Sequence, residues 1–173
     1  MSVYVQDTLA YVADYTNLRI INVSNPQSPL EIGYYDIGNC VVGIYVQDTL
    51  AYVASGYSGL RIINVSDPQN PTEMGVYYSG DICNVYVQDT LAYVADGYGG
   101  LRIINVSDPQ NPTEISFYDT DGYAIDIYVR ETLAYIVANR DGLRIIDVSD
   151  LQNPLEIGSY YTGYYARNVY VQG

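Results

Sequence analysis

The side chains with the most chemical potential in this chain come in sets of four. Glu31, Glu73, Glu114 and Glu156 share one position of a recurring pattern, and Arg19, Arg61, Arg102 and Arg144 share another. Carboxylates can serve as acid and base, as in glycoside hydrolysis. Guanidinium groups can gather on an anion or lock onto a carboxylate. The chain has no histidine, so the usual base for neutral pH is missing. No Ser-His-Asp or Cys-His constellation can form within it. A catalytic acid is needed once per active site. A glutamate repeated in every unit points instead to an acid paired with a nearby donor. The arginines recur in the same way, and with no lysine present their use is position-specific. We read them as structural, in or near salt bridges with acids of the same or the adjacent unit. An anion site is the alternative.

Three smaller signals carry chemistry of their own. Asp119-Thr120-Asp121-Gly122 resembles the front of a calcium loop, in which Asp119 and Asp121 would meet one hard cation. It lacks the rest of such a loop and occurs once, so a turn is the competing reading, and no cofactor is expected. Asn22-Val23-Ser24, Asn64-Val65-Ser66 and Asn105-Val106-Ser107 match the glycosylation triplet. The matching residue in the fourth unit is Asp147, so a short polar strand end explains both residue types. Cys40 and Cys83 are both expected on the first strand of adjacent units. Two buried thiols are expected, with a bridge as the alternative.

These residues need a frame, and the frame is a repeat. The word Tyr-Val-[Gln/Arg] places tyrosines at Tyr4, Tyr45, Tyr86, Tyr128 and Tyr170, at spacings of 41, 41, 42 and 42 residues. The whole chain, 1–173, reads as one repeat domain. Its units run over about 3–41, 42–82, 83–124 and 125–165, followed by the first strand of a fifth unit at 165–172. A period near forty suits paired helices or a four-stranded propeller blade. Short runs of Val, Ile, Tyr and Thr broken by Gly, Asp, Asn and Pro select strands. In the third unit the strands are expected at Ile82 to Gln88, Leu91 to Ala95, Leu101 to Val106 and Thr113 to Asp119. Runs such as Ile125-Asp126-Ile127-Tyr128-Val129 are apolar on both faces, as in a sheet covered on both sides. Blades packed around an axis do this. The expected fold is therefore all-β: a β-propeller of four-stranded antiparallel blades, four repeats per chain. A β-solenoid is the alternative.

Leu143-Arg144-Ile145-Ile146-Asp147 followed by Val148-Ser149-Asp150 resembles the core word of the LVIVD-repeat family of β-propellers. Leu18 to Val23, Leu60 to Val65 and Leu101 to Val106 repeat it, with Asn in place of Asp147. The upstream Leu-Ala-Tyr word, the downstream Pro-x-Glu word and Ala166-Arg167-Asn168-Val169 extend the resemblance over essentially the whole chain. It implies a blade unit, often in secreted or surface-attached prokaryotic proteins, with no shared catalytic residues. Fold likeness of this kind does not supply a function.

Composition narrows the partners. Apolar residues make up 49% of the chain and the formal net charge is −13. Such a surface repels nucleic-acid phosphates and anionic membranes. No segment reaches the length of a membrane-spanning helix. No leader pattern precedes the first strand; Met1 stands directly against it, and a leader already removed fits equally.

Three functional classes follow. A non-catalytic binding scaffold for a protein or carbohydrate leads. A purely structural or self-assembling repeat module is next, and the near-identity of the units suggests recent duplication or design. A carboxylate-dependent lyase or hydrolase is the distant third. Blades must close on themselves or on another chain, and two copies forming one eight-bladed ring is the expected assembly. Strand direction places the ligand. Successive turns of an antiparallel blade alternate between its ends, so the second-to-third-strand loops share an end with the connections between blades. That end varies most between units. Its expected contact residues are Tyr15, Tyr57, Tyr98, Arg140, Tyr123 and Tyr164, whose rings can stack on sugars or anchor a protein.

Overall fold

The computed structural model describes residues 2–172. Blade 1 holds β1 (Val3–Gln6), β2 (Leu9–Asp14), β3 (Asn17–Asn22) and β4 (Leu30–Asp36). Blade 2 holds β5 (Gly43–Gln47), β6 (Leu50–Ala54), β7 (Leu60–Asn64) and β8 (Thr72–Tyr77). Blade 3 holds β9 (Asn84–Gln88), β10 (Leu91–Ala95), β11 (Leu101–Asn105) and β12 (Thr113–Tyr118). Blade 4 holds β13 (Asp126–Arg130), β14 (Leu133–Val137), β15 (Leu143–Asp147) and β16 (Leu155–Tyr160). Each blade is a separate antiparallel sheet whose strands lie in chain order. The first strands β1, β5, β9 and β13 are neighbours in sequence. They form the inner rim of a propeller-like array, and a coiled solenoid is set aside.

Local chemistry explains the blade. The first turn residue between strands one and two has positive φ in every blade: Asp7, Asp48, Asp89 and Glu131. The third strand ends where an Asn or Asp side chain accepts the backbone N–H two residues on. Asn64 does so for Ser66 at 2.9 Å and Asp147 for Ser149 at 2.9 Å. Only the acceptor oxygen matters there, so Asn and Asp interchange. Strand four carries one bulged residue in each blade, between the partners of Ile20/Ile21, Ile62/Ile63, Ile103/Ile104 and Ile145/Ile146. The bulge sets Glu31, Glu73, Glu114 and Glu156 opposite the later isoleucine, two residues from the arginine and on its face.

Burial follows from stacking. The face of blade 1 with Tyr11, Ala13, Leu18 and Ile20 packs on Ile44, Val46, Ala51, Val53 and Ile63 of blade 2. The same trailing-to-leading contact recurs between blades 2 and 3 and between blades 3 and 4. The array is open. On the leading face of blade 1, Val3 and Val5 are 61% and 58% exposed, whereas Val46, Val87 and Val129 are each 1% exposed. On the trailing face of blade 4, Ile157 and Tyr160 are exposed.

Three expectations need correction. The third unit's first strand begins at Asn84, because Ile82 instead bridges Gly56 of the preceding blade. Residues 165–172 form no strand, since among the described residues no second strand lies beside them to complete a ladder. The cysteines are free and half-buried, standing just before β5 and β9 at non-equivalent positions.

Candidate functional site

The arginines reach the glutamates of their own blades. Arg19 Nη1 lies 2.7 Å from Glu31, Arg61 Nη1 2.6 Å from Glu73, Arg102 Nη1 2.9 Å from Glu114 and Arg144 Nη1 3.3 Å from Glu156. Arg102 also donates at 2.7 Å to Asp96, which is almost wholly buried and accepts Ser79 Oγ at 2.5 Å. Burial alone would lower the Arg102 pKa, but its bonds to Asp96 and Glu114 raise it. The glutamates serve the blade interface as well. Tyr77 of blade 2 donates to Glu114 of blade 3, and Tyr118 of blade 3 donates to Glu156 of blade 4 at 3.4 Å. These acids are dispersed one per blade along the stack and do not converge on one pocket.

A convergent pocket does exist at the end that carries the loops between strands two and three. A cleft of about 640 Å³ opens there, where the chain enters each first strand. Blade 2 contributes Asn39, Cys40, Val42, Gly56 and Tyr57; blade 3, Asp81, Cys83 and Asn84; blade 4, Tyr123, Ile125 and Asp126. Ser2, Arg167 and Asn168 complete the wall. Aligned on the rim tyrosine, these residues occupy the columns in which the units differ. Two residues before it stand Ser2, Gly43, Asn84, Asp126 and Asn168; three before it, Val42, Cys83, Ile125 and Arg167; five before it, Cys40, Asp81, Tyr123 and Tyr165. The first three strands behind them repeat almost word for word, and the fourth varies.

The cleft is polar and cross-linked. Tyr123 donates its hydroxyl to Asp81, and Cys83 donates its thiol to the Asp81 carbonyl at 3.2 Å. Cys83 Sγ also lies 3.6 Å from the Tyr123 hydroxyl. Burial is the main cause that raises both the Cys83 and the Tyr123 pKa, so both remain protonated at neutral pH. A thiol held in that form is a poor nucleophile. Asp126 is buried and accepts bonds from Asn84 Nδ2 and, at 2.6 Å, from the Val169 amide. Burial pushes its carboxyl above the ordinary value, against those bonds. The wall thus offers fixed donors, acceptors and ring faces.

A second cleft of about 460 Å³ lies beside it, between blades 3 and 4. Tyr98 meets Tyr123 edge-on with centroids 4.9 Å apart, and Arg140 lies 4.8 Å from the centroid of the Tyr165 ring. Arg140 thereby makes to Tyr165 the contact that Tyr98 makes to Tyr123.

Of the loop residues expected to meet a ligand, Tyr57 and Tyr123 line the larger cleft, and Tyr98, Tyr123 and Arg140 the smaller. Tyr57 and Tyr98 remain 78% and 84% exposed despite these contacts. Tyr15 and Tyr164 are exposed and line neither cleft. Asp81 falls in a connection, Ser79 to Asp81, that is variable by sequence, whereas reading by loops passes over Cys83, Asn84, Asp126, Arg167 and Asn168. Comparing the units column by column around the rim tyrosine would have found them. Asp119 accepts the Asp121 amide at 3.0 Å, which is a turn. Among the described residues no group of three or more His, Cys, Asp or Glu can hold a metal ion.

The fold recurs in solved structures of very different sequence. The computationally designed Ika8 protein is similar at TM-score 0.75 and 6% identity, over 99% of this chain and 52% of that one. A functionally unknown protein from Desulfotomaculum acetoxidans DSM 771 is similar at TM-score 0.72 and 10% identity, over 98% of this chain and 58% of that one. The designed Ika4 protein reaches TM-score 0.63 at 4% identity, over 78% of this chain and 81% of that one. The chain therefore spans about half the length of Ika8 and of the Desulfotomaculum protein. These likenesses concern fold alone. No curated protein matches the sequence. The sequence profile of the LVIVD repeat matches four times, over residues 1–37, 41–78, 79–120 and 121–162, and together with the four blades this settles the family: the chain belongs to the LVIVD-repeat proteins.

Proposed function

We propose that the chain is a non-catalytic binding scaffold whose ligand, a carbohydrate or an exposed loop of a protein, meets the two clefts at the loop end of the blades. One observation carries this reading. The first three strands are nearly identical between units, whereas the residues that open each first strand and face the larger cleft change in charge, size and polarity: Ser2, Asn84 and Asp126 in one column, Val42, Cys83, Ile125 and Arg167 in the next. The outer strands vary too, at Tyr34, Val76, Phe117 and Ser159, but these line neither cleft. Tyr57 and Tyr98 present ring faces beside fixed polar groups, the combination that holds sugars and loop side chains. The test is binding to a glycan array and to a panel of surface-protein peptides. Tyr57→Ala with Tyr98→Ala should abolish the signal and leave folding intact. Asp67→Ala with Gln69→Ala, at the opposite end, should leave it unchanged. Binding that survives the first pair and is lost with the second overturns the assignment.

A second reading, self-association, is favoured by the unpaired blade faces. Within the chain a glycine of strand four makes room for the next blade's loop. A Cβ on Gly33 would lie 2.0 Å from the Pro68 carbonyl oxygen, and one on Gly75 2.4 Å from that of Pro109. The equivalent Gly158 meets only its own blade's Ile145 at 3.9 Å. Tyr160, the counterpart of Tyr77 and Tyr118, is exposed. A second copy supplies what both lack, Pro26 for Gly158 and Glu31 for Tyr160. Four blades from each of two copies then make one eight-bladed ring. Light scattering should give about twice the 19.2 kDa chain mass. Gly158→Arg, which has open space in a lone chain, should return it to a single mass. A lone chain in the unaltered protein overturns this reading.

A further inference from the structure

Residues 166–172 make no strand, yet they sit in the place of one. The Ala166 amide donates to the Asn139 carbonyl at 3.2 Å. Ala124 bridges Gly97, and Ile82 bridges Gly56, at the equivalent position of the earlier blades. Tyr170 meets Tyr128 edge-on with centroids 5.4 Å apart, extending the rim of tyrosines whose other members stand 5.0, 5.0 and 5.1 Å apart. The Val169 amide is tied to Asp126. The segment Asn168-Val169-Tyr170-Val171-Gln172 repeats β9, Asn84–Gln88, residue for residue. It is docked as the inner strand of a next blade, with no second strand beside it.

We infer that this segment is the first strand of another copy's first blade. Residues 168–172 of one chain pair with Leu9–Asp14 of the other and displace that copy's Val3–Gln6. The inference rests on the two-copy ring reading and states how the ring closes. The register follows from β9 and β10, where Val85 faces Val94 and Tyr86 faces Tyr93. Val169 then faces Val12 of the second copy, Tyr170 faces Tyr11, and Val171 faces Ala10. Two strands compete for one slot. The displaced β1 packs on no preceding blade, since Val3 and Val5 are exposed. The incoming strand is already seated on blade 4. β1 also rests on blade 2, through Tyr4 on Tyr45 and Gln6 on the Asp48 carbonyl, and the incoming Tyr170 and Gln172 are the same residue types at the same places. Exchange therefore keeps those contacts and the ladder, and replaces a strand with no blade behind it by one already seated on blade 4. Each chain gives a strand and receives one, so both joints of the ring are laced.

Two matched variants decide between exchange and plain docking. Proline removes a ladder donor, and adjacent prolines act on both edges of a strand. The protein is unfolded, refolded at tens of micromolar and weighed by light scattering. Val171→Pro with Gln172→Pro should give single chains. Val5→Pro with Gln6→Pro, the same change in β1, should leave the two-chain species intact. A two-chain mass that survives the first pair, or is lost with the second, overturns the exchange while the ring stands. Single chains in the unaltered protein overturn both. As a check independent of folding yield, Val12→Cys and Val169→Cys chains are mixed, each also carrying Cys40→Ser and Cys83→Ser. Joining of one to the other by a short thiol cross-linker is expected. Failure of that joining in a two-chain species overturns the exchange.

Discussion

Blades 1 and 3 are written in nearly the same words and live in different surroundings. Val-Tyr-Val-Gln opens both, yet Val5 is 58% exposed and Val87 1%. Arg19 and Arg102 each bridge two acids, but Arg19 lies at the surface while the Asp96 partner of Arg102 is buried. The residues do not carry their burial with them; the preceding blade confers it. In a stack of this kind stability is a sum of blade terms and nearest-neighbour terms. The same substitution should therefore have different costs in the two blades.

The widest gap is expected at the inner strand. Val87→Asp places an unpaired charge between blades 2 and 3 and should cost on the order of 4 kcal/mol or more. Val5→Asp adds a charge where water already reaches and should leave unfolding of the single chain unchanged. Urea titration of both variants checks this. Equal losses would mean that the leading face of blade 1 is covered, by its own chain or by a second copy docked without exchange.

The arginines give a smaller contrast. Arg102→Ala leaves the Asp96 carboxylate buried with only Ser79 as donor, and removes one bond to Glu114. Loss of a partner from such a pair should cost about 2–3 kcal/mol. Arg19→Ala, at the surface, should hardly move the midpoint. Thermal unfolding separates them. Retention of full stability by Arg102→Ala would leave the anion-site reading of these arginines in place.

Alkaline stability extends the contrast to tyrosines. Burial raises the pKa of Tyr45, Tyr52 and Tyr93, and burial with the Glu114 bond pushes Tyr77 up to about 12. The unfolded phenols titrate near 10. Above that pH the unfolded chain releases protons that the folded chain retains, so stability present below pH 10 is lost as pH rises toward the folded values. Tyrosinate absorbance and circular dichroism should rise and fall together above pH 10. Tyr77→Phe should shallow that dependence.

The sequence carried the frame well and the site only in part. A 41- or 42-residue ruler, proline-bearing loops and runs apolar on both faces were enough for four blades and for the strand order. These features are local and four times repeated. That the loops between strands two and three share an end with the blade-to-blade connections was legible for a geometric reason, since turns of an antiparallel blade must alternate. The tyrosines there were visible as residues but not as pairs. The contact of Tyr98 with Tyr123 and that of Arg140 with Tyr165 depend on how one blade's loop meets the next blade's entry. The cleft wall lay one step further on, in columns such as Cys83, Ile125 and Arg167 that look like ordinary strand openings. The docked segment at 165–172 reads as a strand because its letters match one. A strand also requires a neighbour to pair with, and letters alone do not supply it.

The smallest expected effect lies in the turn between the first two strands. The backbone there is left-handed in all four blades, with φ of 53°, 55° and 56° at Asp7, Asp48 and Asp89 and 55° at Glu131. Asp tolerates this region because its short side chain can bond locally; the longer Glu gains no such contact and bears the steric cost of the Cβ. Blade 4 therefore carries at this turn a residue type less suited to the left-handed region than the Asp of the other blades. Glu131→Asn should raise stability by about 0.5 kcal/mol, while Asp89→Asn should change nothing measurable. A thermal melt of both variants tests the difference. A stabilised Asp89→Asn with an unmoved Glu131→Asn would show that the residue at this turn acts through its charge rather than through its backbone.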